Sequence, residues 1–131
     1  MKTSMKYPLN TLALGAALLF SSAVAAAEVS RATFTIGVED REPIIMVDSI
    51  NSGSYKSISF FSEINDMTGQ TVTHQWIYND KVMFEKTFEI KADRWRIWTS
   101  KTLIPSWTGT WTVKVLDDER ATLTSKTFEY L

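Results

Sequence analysis

The chain has 131 residues and no cysteine, with 14 Lys and Arg against 15 Asp and Glu, a single His and a formal net charge of −1. That balance argues against the broad basic face that nucleic-acid binding requires. The missing cysteines and the lone histidine remove disulfides, Cys nucleophiles and multi-histidine metal sites.

Residues 1–27 read as a secretory signal. Lys2 and Lys6 form a positive start, Leu9 to Phe20 is a short apolar run, and Ala23-Val24-Ala25 and Ala25-Ala26-Ala27 are small-x-small cleavage sites. The run falls short of the ~20 apolar residues that cross a bilayer, so a cleaved signal is expected over an uncleaved anchor. No cysteine follows it to carry a lipid. Without Lys2 and Lys6 the formal charge becomes −3, and residues 28–131 suit one domain with one core. Lacking disulfides, that domain must be held by packing, for which seven Phe, five Trp and four Tyr supply apolar area.

In chain order, Val29 to Val38 alternates Ala32, Phe34, Ile36 and Val38 against Ser30, Arg31, Thr33 and Thr35 and predicts a first strand. Glu39-Asp40-Arg41-Glu42-Pro43 ends it, since charges and a proline do not continue a central ladder. Ile44 to Ile50 is a weaker apolar piece, interrupted by Asp48, and Asn51-Ser52-Gly53-Ser54 is a turn. Tyr55 to Ile64 sends Ile58, Phe60 and Ile64 one way, and Asp66-Met67-Thr68-Gly69 turns the chain.

Thr71 to Tyr78 places Val72, His74, Trp76 and Tyr78 on one face. Asn79-Asp80 makes a tight hairpin without the usual glycine, and Lys81 to Ile90 returns with Val82, Phe84, Phe88 and Ile90 inward and Met83 outward. Trp95 to Lys101 follows, then a loop around Pro105. Gly109 to Leu116 directs Trp111, Val113 and Val115 inward. Ala121 to Leu131 closes the chain, and the opposite parity of Leu123 and Phe128 predicts a bulge or an apolar residue left outside. Seven or eight short strands without a helical period predict an antiparallel, immunoglobulin-like β-sandwich, with a small β-barrel as the alternative. Trp76 takes the place of the buried tryptophan on the third strand of such sandwiches.

Four tryptophans and three cations fall in Arg94-Trp95-Arg96-Ile97-Trp98-Thr99-Ser100-Lys101 and Trp107-Thr108-Gly109-Thr110-Trp111. By strand parity Trp95 and Ile97 face one side, and Arg94, Arg96 and Trp98 form a row on the other, ~6.5–7 Å apart. Guanidinium groups beside an indole suit an anionic or sugar-containing ligand. They equally suit a self-paired surface, with Arg stacked on Trp and bonded to Glu of the next strand. The candidate binding residues are Arg94, Arg96, Trp98, Lys101 and Trp107; Trp107 is either a plug over the sandwich end or an exposed anchor. Gly109 serves the backbone and leaves room for the flanking indoles.

No catalytic residue, metal or cofactor is expected. His74, in mid-strand on an apolar face, reads as a core histidine before it reads as the base of a hydrolase with Glu39 or Asp40. Glu39, Asp40 and Glu42 enclose Arg41, and read as a solvated turn or an ion pair closing the sandwich edge before a calcium site.

The blocks Arg31-Ala32-Thr33-Phe34, Asp40-Arg41-Glu42-Pro43, Thr71-Val72-Thr73-His74-Gln75-Trp76, Arg94 to Lys101 and Trp107-Thr108-Gly109-Thr110-Trp111-Thr112-Val113 together resemble the bacterial domain-of-unknown-function family numbered two-nine-one-four, over nearly all of residues 28–131. Asn79-Asp80-Lys81 departs from it, where the family tends to place glycine before the lysine. The resemblance implies a β fold, exported or attached to membrane proteins, mostly in Gram-negative bacteria, and brings no activity, substrate or catalytic residue. The resulting expectation is a periplasmic or secreted module that binds an envelope protein or glycan through the Arg/Trp strand. A structural domain docking by a sheet edge, at residues 44–50 or the last strand, is the alternative.

Overall fold

The computed structural model describes residues 27–131, so the predicted signal lies outside the described residues. Seven long strands build two sheets: β1 (Glu28–Thr35), β6 (Ser57–Asn65), β7 (Thr71–Tyr78), β8 (Lys81–Glu89), β9 (Arg94–Thr102), β10 (Gly109–Leu116) and β11 (Thr122–Tyr130). Four two-residue strands, β2 (Val38–Glu39), β3 (Glu42–Pro43), β4 (Met46–Val47) and β5 (Ser49–Ile50), lie between β1 and β6. One sheet has the order β4-β1-β6-β9 and the other β5-β11-β10-β7-β8. Neither closes, so the fold is the sandwich and not the barrel. Among the described residues no helix is long and apolar enough to cross a membrane.

The core forms where the period-2 residues of the two sheets meet. Ile58, Phe60 and Ile64 of β6 and Phe34 of β1 face Val72 and Trp76 of β7, Trp111, Val113 and Val115 of β10, and Phe128 of β11. Phe34 fixes the centre, with its ring 4.9 Å from Phe60, 4.7 Å from Phe128 and 6.0 Å from Trp76, in tilted and edge-to-face arrangements that aromatic quadrupoles favour. Trp76 is fully buried on the third long strand.

Two bulges set side-chain direction. In β8 one residue is added opposite Trp76 and Ile77, which turns Val82 out to solvent and packs Met83 against the core, the reverse of the simple alternation. In β11 the expected bulge lies opposite Val115 and Leu116 and carries Leu123 to the core margin. The Asn79-Asp80 hairpin forms without glycine because both residues take positive φ, 50° and 61°, as a type I′ turn demands and as Asn and Asp tolerate.

The first predicted strand does not run on to Val38. It ends at Thr35, whose buried hydroxyl donates to the Gly37 carbonyl and accepts from the Gly37 and Ile45 amides. This bends the hairpin of residues 36–45 out of the sheet. Its tip turns at Asp40 and Arg41, with φ of 52° and 63°, and the hairpin folds back over the outer face of β1, β6 and β9. Ile44 to Ile50 is therefore two pieces: β4 stays beside β1, and β5 crosses to pair in parallel with β11.

The hairpin explains Phe61. Its neighbour Phe60 points into the core, so Phe61 points outward, yet it is fully buried. The Arg31 guanidinium lies 5.0 Å from its ring, and Pro43 lines the same groove. Phe61→Ala should cost about 3–5 kcal/mol, as for a core phenylalanine, in urea unfolding. A cost under about 1 kcal/mol would mean that the hairpin stands off the sheet in solution.

Candidate functional site

Strand β9 borders one sheet and pairs in register with β6 over its whole length, Phe61 opposite Trp98, Glu63 opposite Arg96, Asn65 opposite Arg94. Parity divides it as the sequence predicts: Ile97 and Thr99 are buried, while Arg94, Arg96, Trp98 and Ser100 share the outer face. Trp95 is half-buried against the edge of the core.

The outer arginines are paired. Arg31 of β1 donates two hydrogen bonds to Glu42, both at 2.8 Å, the fork-on-carboxylate geometry that favours Arg over Lys. Arg96 reaches the same carboxylate at 2.5 Å. Glu63 of β6 receives Arg31 at 2.6 Å and Arg94 at 3.2 Å. Hydrogen bonds from Arg31 and Arg96 hold the Glu42 carboxyl down at about 2, and those from Arg94 and Arg31 lower that of Glu63. Through Glu42, Arg31 and Arg96 thus tie the hairpin to β1 and β9, and Glu63 of β6 joins Arg31 and Arg94 into the same network.

Arg41 was not among the residues the sequence singled out for this surface. From the hairpin tip its guanidinium carbon lies 5.2 Å from the Trp95 ring and 5.9 Å from that of Trp98, where cation–π attraction operates. It has no ion-pair partner among the described residues. Arg41, Phe88, Trp95, Arg96, Ile97 and Trp98 line a cleft of about 150 Å³. Arg31, Arg41, Glu42 and Glu63 were all missed as parts of this surface. One signal was available: adjacent aromatics at Phe60 and Phe61 put a large apolar ring on each face of the strand, which requires a cover on the outer one.

Lys101 and Trp107 belong elsewhere. They lie at the far end of β9, with the Lys101 ammonium 4.9 Å from the Trp107 ring. Trp107, in a single 3₁₀ turn over residues 105–107, packs edge-on to Trp111 at 5.9 Å, and its carbonyl accepts the Trp111 indole N–H. It plugs the sandwich end. Gly109 takes φ 118°, a backbone conformation that favours glycine, while the Tyr78 ring, 3.9 Å from where a Cβ would stand, would leave room for one.

His74 is fully buried on β7. Its Nε2 is 2.7 Å from the Ser62 hydroxyl and its Nδ1 2.9 Å from the Thr99 hydroxyl, which also accepts the Trp76 indole N–H at 2.9 Å. Glu39 and Asp40 are exposed on the hairpin tip, so His74 is engaged with two hydroxyls and not with either carboxylate. Among the described residues no group of acidic or histidine side chains could hold a metal ion.

Residues 69–130 match the family model described as "Protein of unknown function (DUF2914)", and the resemblance seen in the sequence blocks holds over that stretch. It spans β7 to β11, including the Arg/Trp strand; the blocks at residues 31–34 and 40–43, and with them the hairpin, lie outside it. No curated protein matches the chain.

Burial lowers the His74 pKa to about 3 from an unfolded value near 6.5. The unfolded chain therefore binds this proton first as pH falls, so the contribution is complete above about 6.5 and shrinks through the interval down to 3. Stability should fall by up to ~1.4 kcal/mol per pH unit below pH 6, and His74→Gln should flatten that slope in urea titrations between pH 6.5 and 4.5. An unchanged slope in the variant would assign the acid sensitivity to other groups.

Proposed function

We propose that this chain is an exported interaction module of a Gram-negative envelope, its leader removed, that meets an envelope protein or glycan at the β9 surface. The observation that carries the reading is the cleft between Trp95 and Trp98. Two half-buried indoles converge there with the guanidinium of Arg41, which has no ion-pair partner among the described residues. Aromatic and arginine side chains anchor interfaces because they bring large area with few rotors and directional donors. The row has narrowed from the five residues singled out by sequence: Trp98 and Arg96 flank the cleft together with Arg41, Arg94 stands beside it on Glu63, and Lys101 with Trp107 closes the other end of the sandwich.

A second reading rests on a separate feature. Ile44, Ile45 and Met46 are consecutive and 44%, 56% and 64% exposed, an apolar run at the sheet border that supports docking by a sheet edge. A photoactivatable diazirine side chain distinguishes the two in cells. At position 41 or 98 it should capture a protein or glycan, and at Lys114 on the opposite sheet it should not. Capture from positions 44–46 alone would move the interface to the apolar run and remove the proposal for β9.

A further inference from the structure

The cleft lies on a strand whose other side is unpaired. β9 is the last strand of its sheet, with β6 as its single neighbour. The direction of its backbone groups follows from two hydrogen bonds at the ends of that ladder: the Leu103 amide donates to the Lys56 carbonyl, and the Asp93 carbonyl accepts from the Asp66 amide, both at 2.8 Å. Odd-numbered residues thus turn N–H and C=O toward β6. The register between them has no shift, so in an antiparallel ladder the even-numbered residues turn theirs away. Arg94, Arg96, Trp98, Ser100 and Thr102 therefore present backbone donors and acceptors along the free edge, and these are also the residues whose side chains stand on the outer face.

Such an edge is a template for another strand unless something blocks it. A second copy of β9 brings no carboxylate to Arg41, because the strand carries Arg94, Arg96 and Lys101 and no Asp or Glu. An acidic strand meets the opposite situation. Arg41 stands at this edge against Trp95 and Trp98 with its charge unmatched by any ion pair among the described residues, whereas Glu42 and Glu63 are already held by Arg31, Arg94 and Arg96. Glu39 and Asp40, exposed on the turn that carries Arg41, make no ion pair among the described residues. Arg41 stands over both the Trp95 and Trp98 rings, which leaves less room for a sugar ring to stack than for a side-chain carboxylate to reach the guanidinium.

Resting on the reading of β9 as the interaction surface, we propose that its partner is a polypeptide that adds an extended acidic segment to the free edge of β9. The backbone groups of Arg96, Trp98 and Ser100 supply the ladder, and Arg41 receives a carboxylate from an alternate residue of the incoming strand. Main-chain hydrogen bonds would give affinity, and the cleft would give selectivity, as in other cases of strand addition.

The test uses the folded chain and a blocked peptide of about ten residues that alternates Glu and Val, beside a counterpart with Lys for Glu. Amide hydrogen exchange followed by NMR should show new protection at Arg96, Trp98 and Ser100 with the Glu peptide, while Ile97 and Thr99, already bonded to β6, do not change. The Lys peptide should give none, and Arg41→Glu should weaken binding of the Glu peptide by about tenfold or more. Equal binding of both peptides, or no new protection at the even-numbered amides up to millimolar peptide, overturns the inference. Capture of a glycan from position 98 overturns it as well, while leaving β9 as the surface. Absence of any capture from positions 41 and 98 removes both readings.

Discussion

The hydroxyl of Thr99 is the point on which the position of β9 depends. It accepts the indole N–H of Trp76 and bonds to the ring of His74, so one side chain of the first sheet meets two of the second in a region without water-exposed surface. The cost of a buried donor left unpaired, ~1–3 kcal/mol, opposes any slip of β9 by one residue. A slip would also exchange its faces, because the period is two. By holding Thr99 inward, the core obliges Arg96 and Trp98 to face outward. The surface row is thus a consequence of a bond in the interior, and the Ser62 hydroxyl on the other ring nitrogen extends the constraint to β6.

The same constraint accounts for the single histidine. A neutral imidazole offers one donor and one acceptor, and two hydroxyls can serve both in either tautomer. Valine there would leave Thr99 and Ser62 short of partners, and a charged residue would carry the desolvation cost that already depresses the His74 pKa. An apolar pair at positions 62 and 99 would relieve the polar demand, but the Trp76 N–H would then have no acceptor.

Much of this was readable from periodicity. Alternation placed Ile58, Phe60, Ile64, Trp76, Trp111, Val113 and Val115 in the core, and parity separated Trp98 and Arg96 from Ile97. Where the reading failed, the cause was a local break in period two that propensity does not encode. The β8 bulge exchanged Val82 and Met83. Residues 36–43 were read as a strand tail followed by a solvated turn or an ion pair closing the sandwich edge, and 44–50 as a weak apolar piece, because nothing in Glu39-Asp40-Arg41-Glu42 announces that a bend at Thr35 folds the segment onto another strand. Self-pairing of the arginine row was weighed in the sequence as one of two outcomes; its partners, Glu42 and Glu63, lie far away in the chain, and only the fold identifies them.

Those partners change what the arginines can do. Arg31, Arg94 and Arg96 are committed to two carboxylates, and exposed ion pairs contribute little stability singly, so their main effect is geometric: Arg31 and Arg96 hold the hairpin against the sheet, which brings Arg41 to the rim of β9, and Arg31 covers Phe61. The hairpin then supplies what an edge strand of nine residues requires, a charge standing beside its open hydrogen-bonding groups. A guanidinium guard gains no ion pair from another copy of this carboxylate-free strand and attracts an acidic one. On the proposed reading, protection against self-association and selection of an acidic partner rest on the same charge.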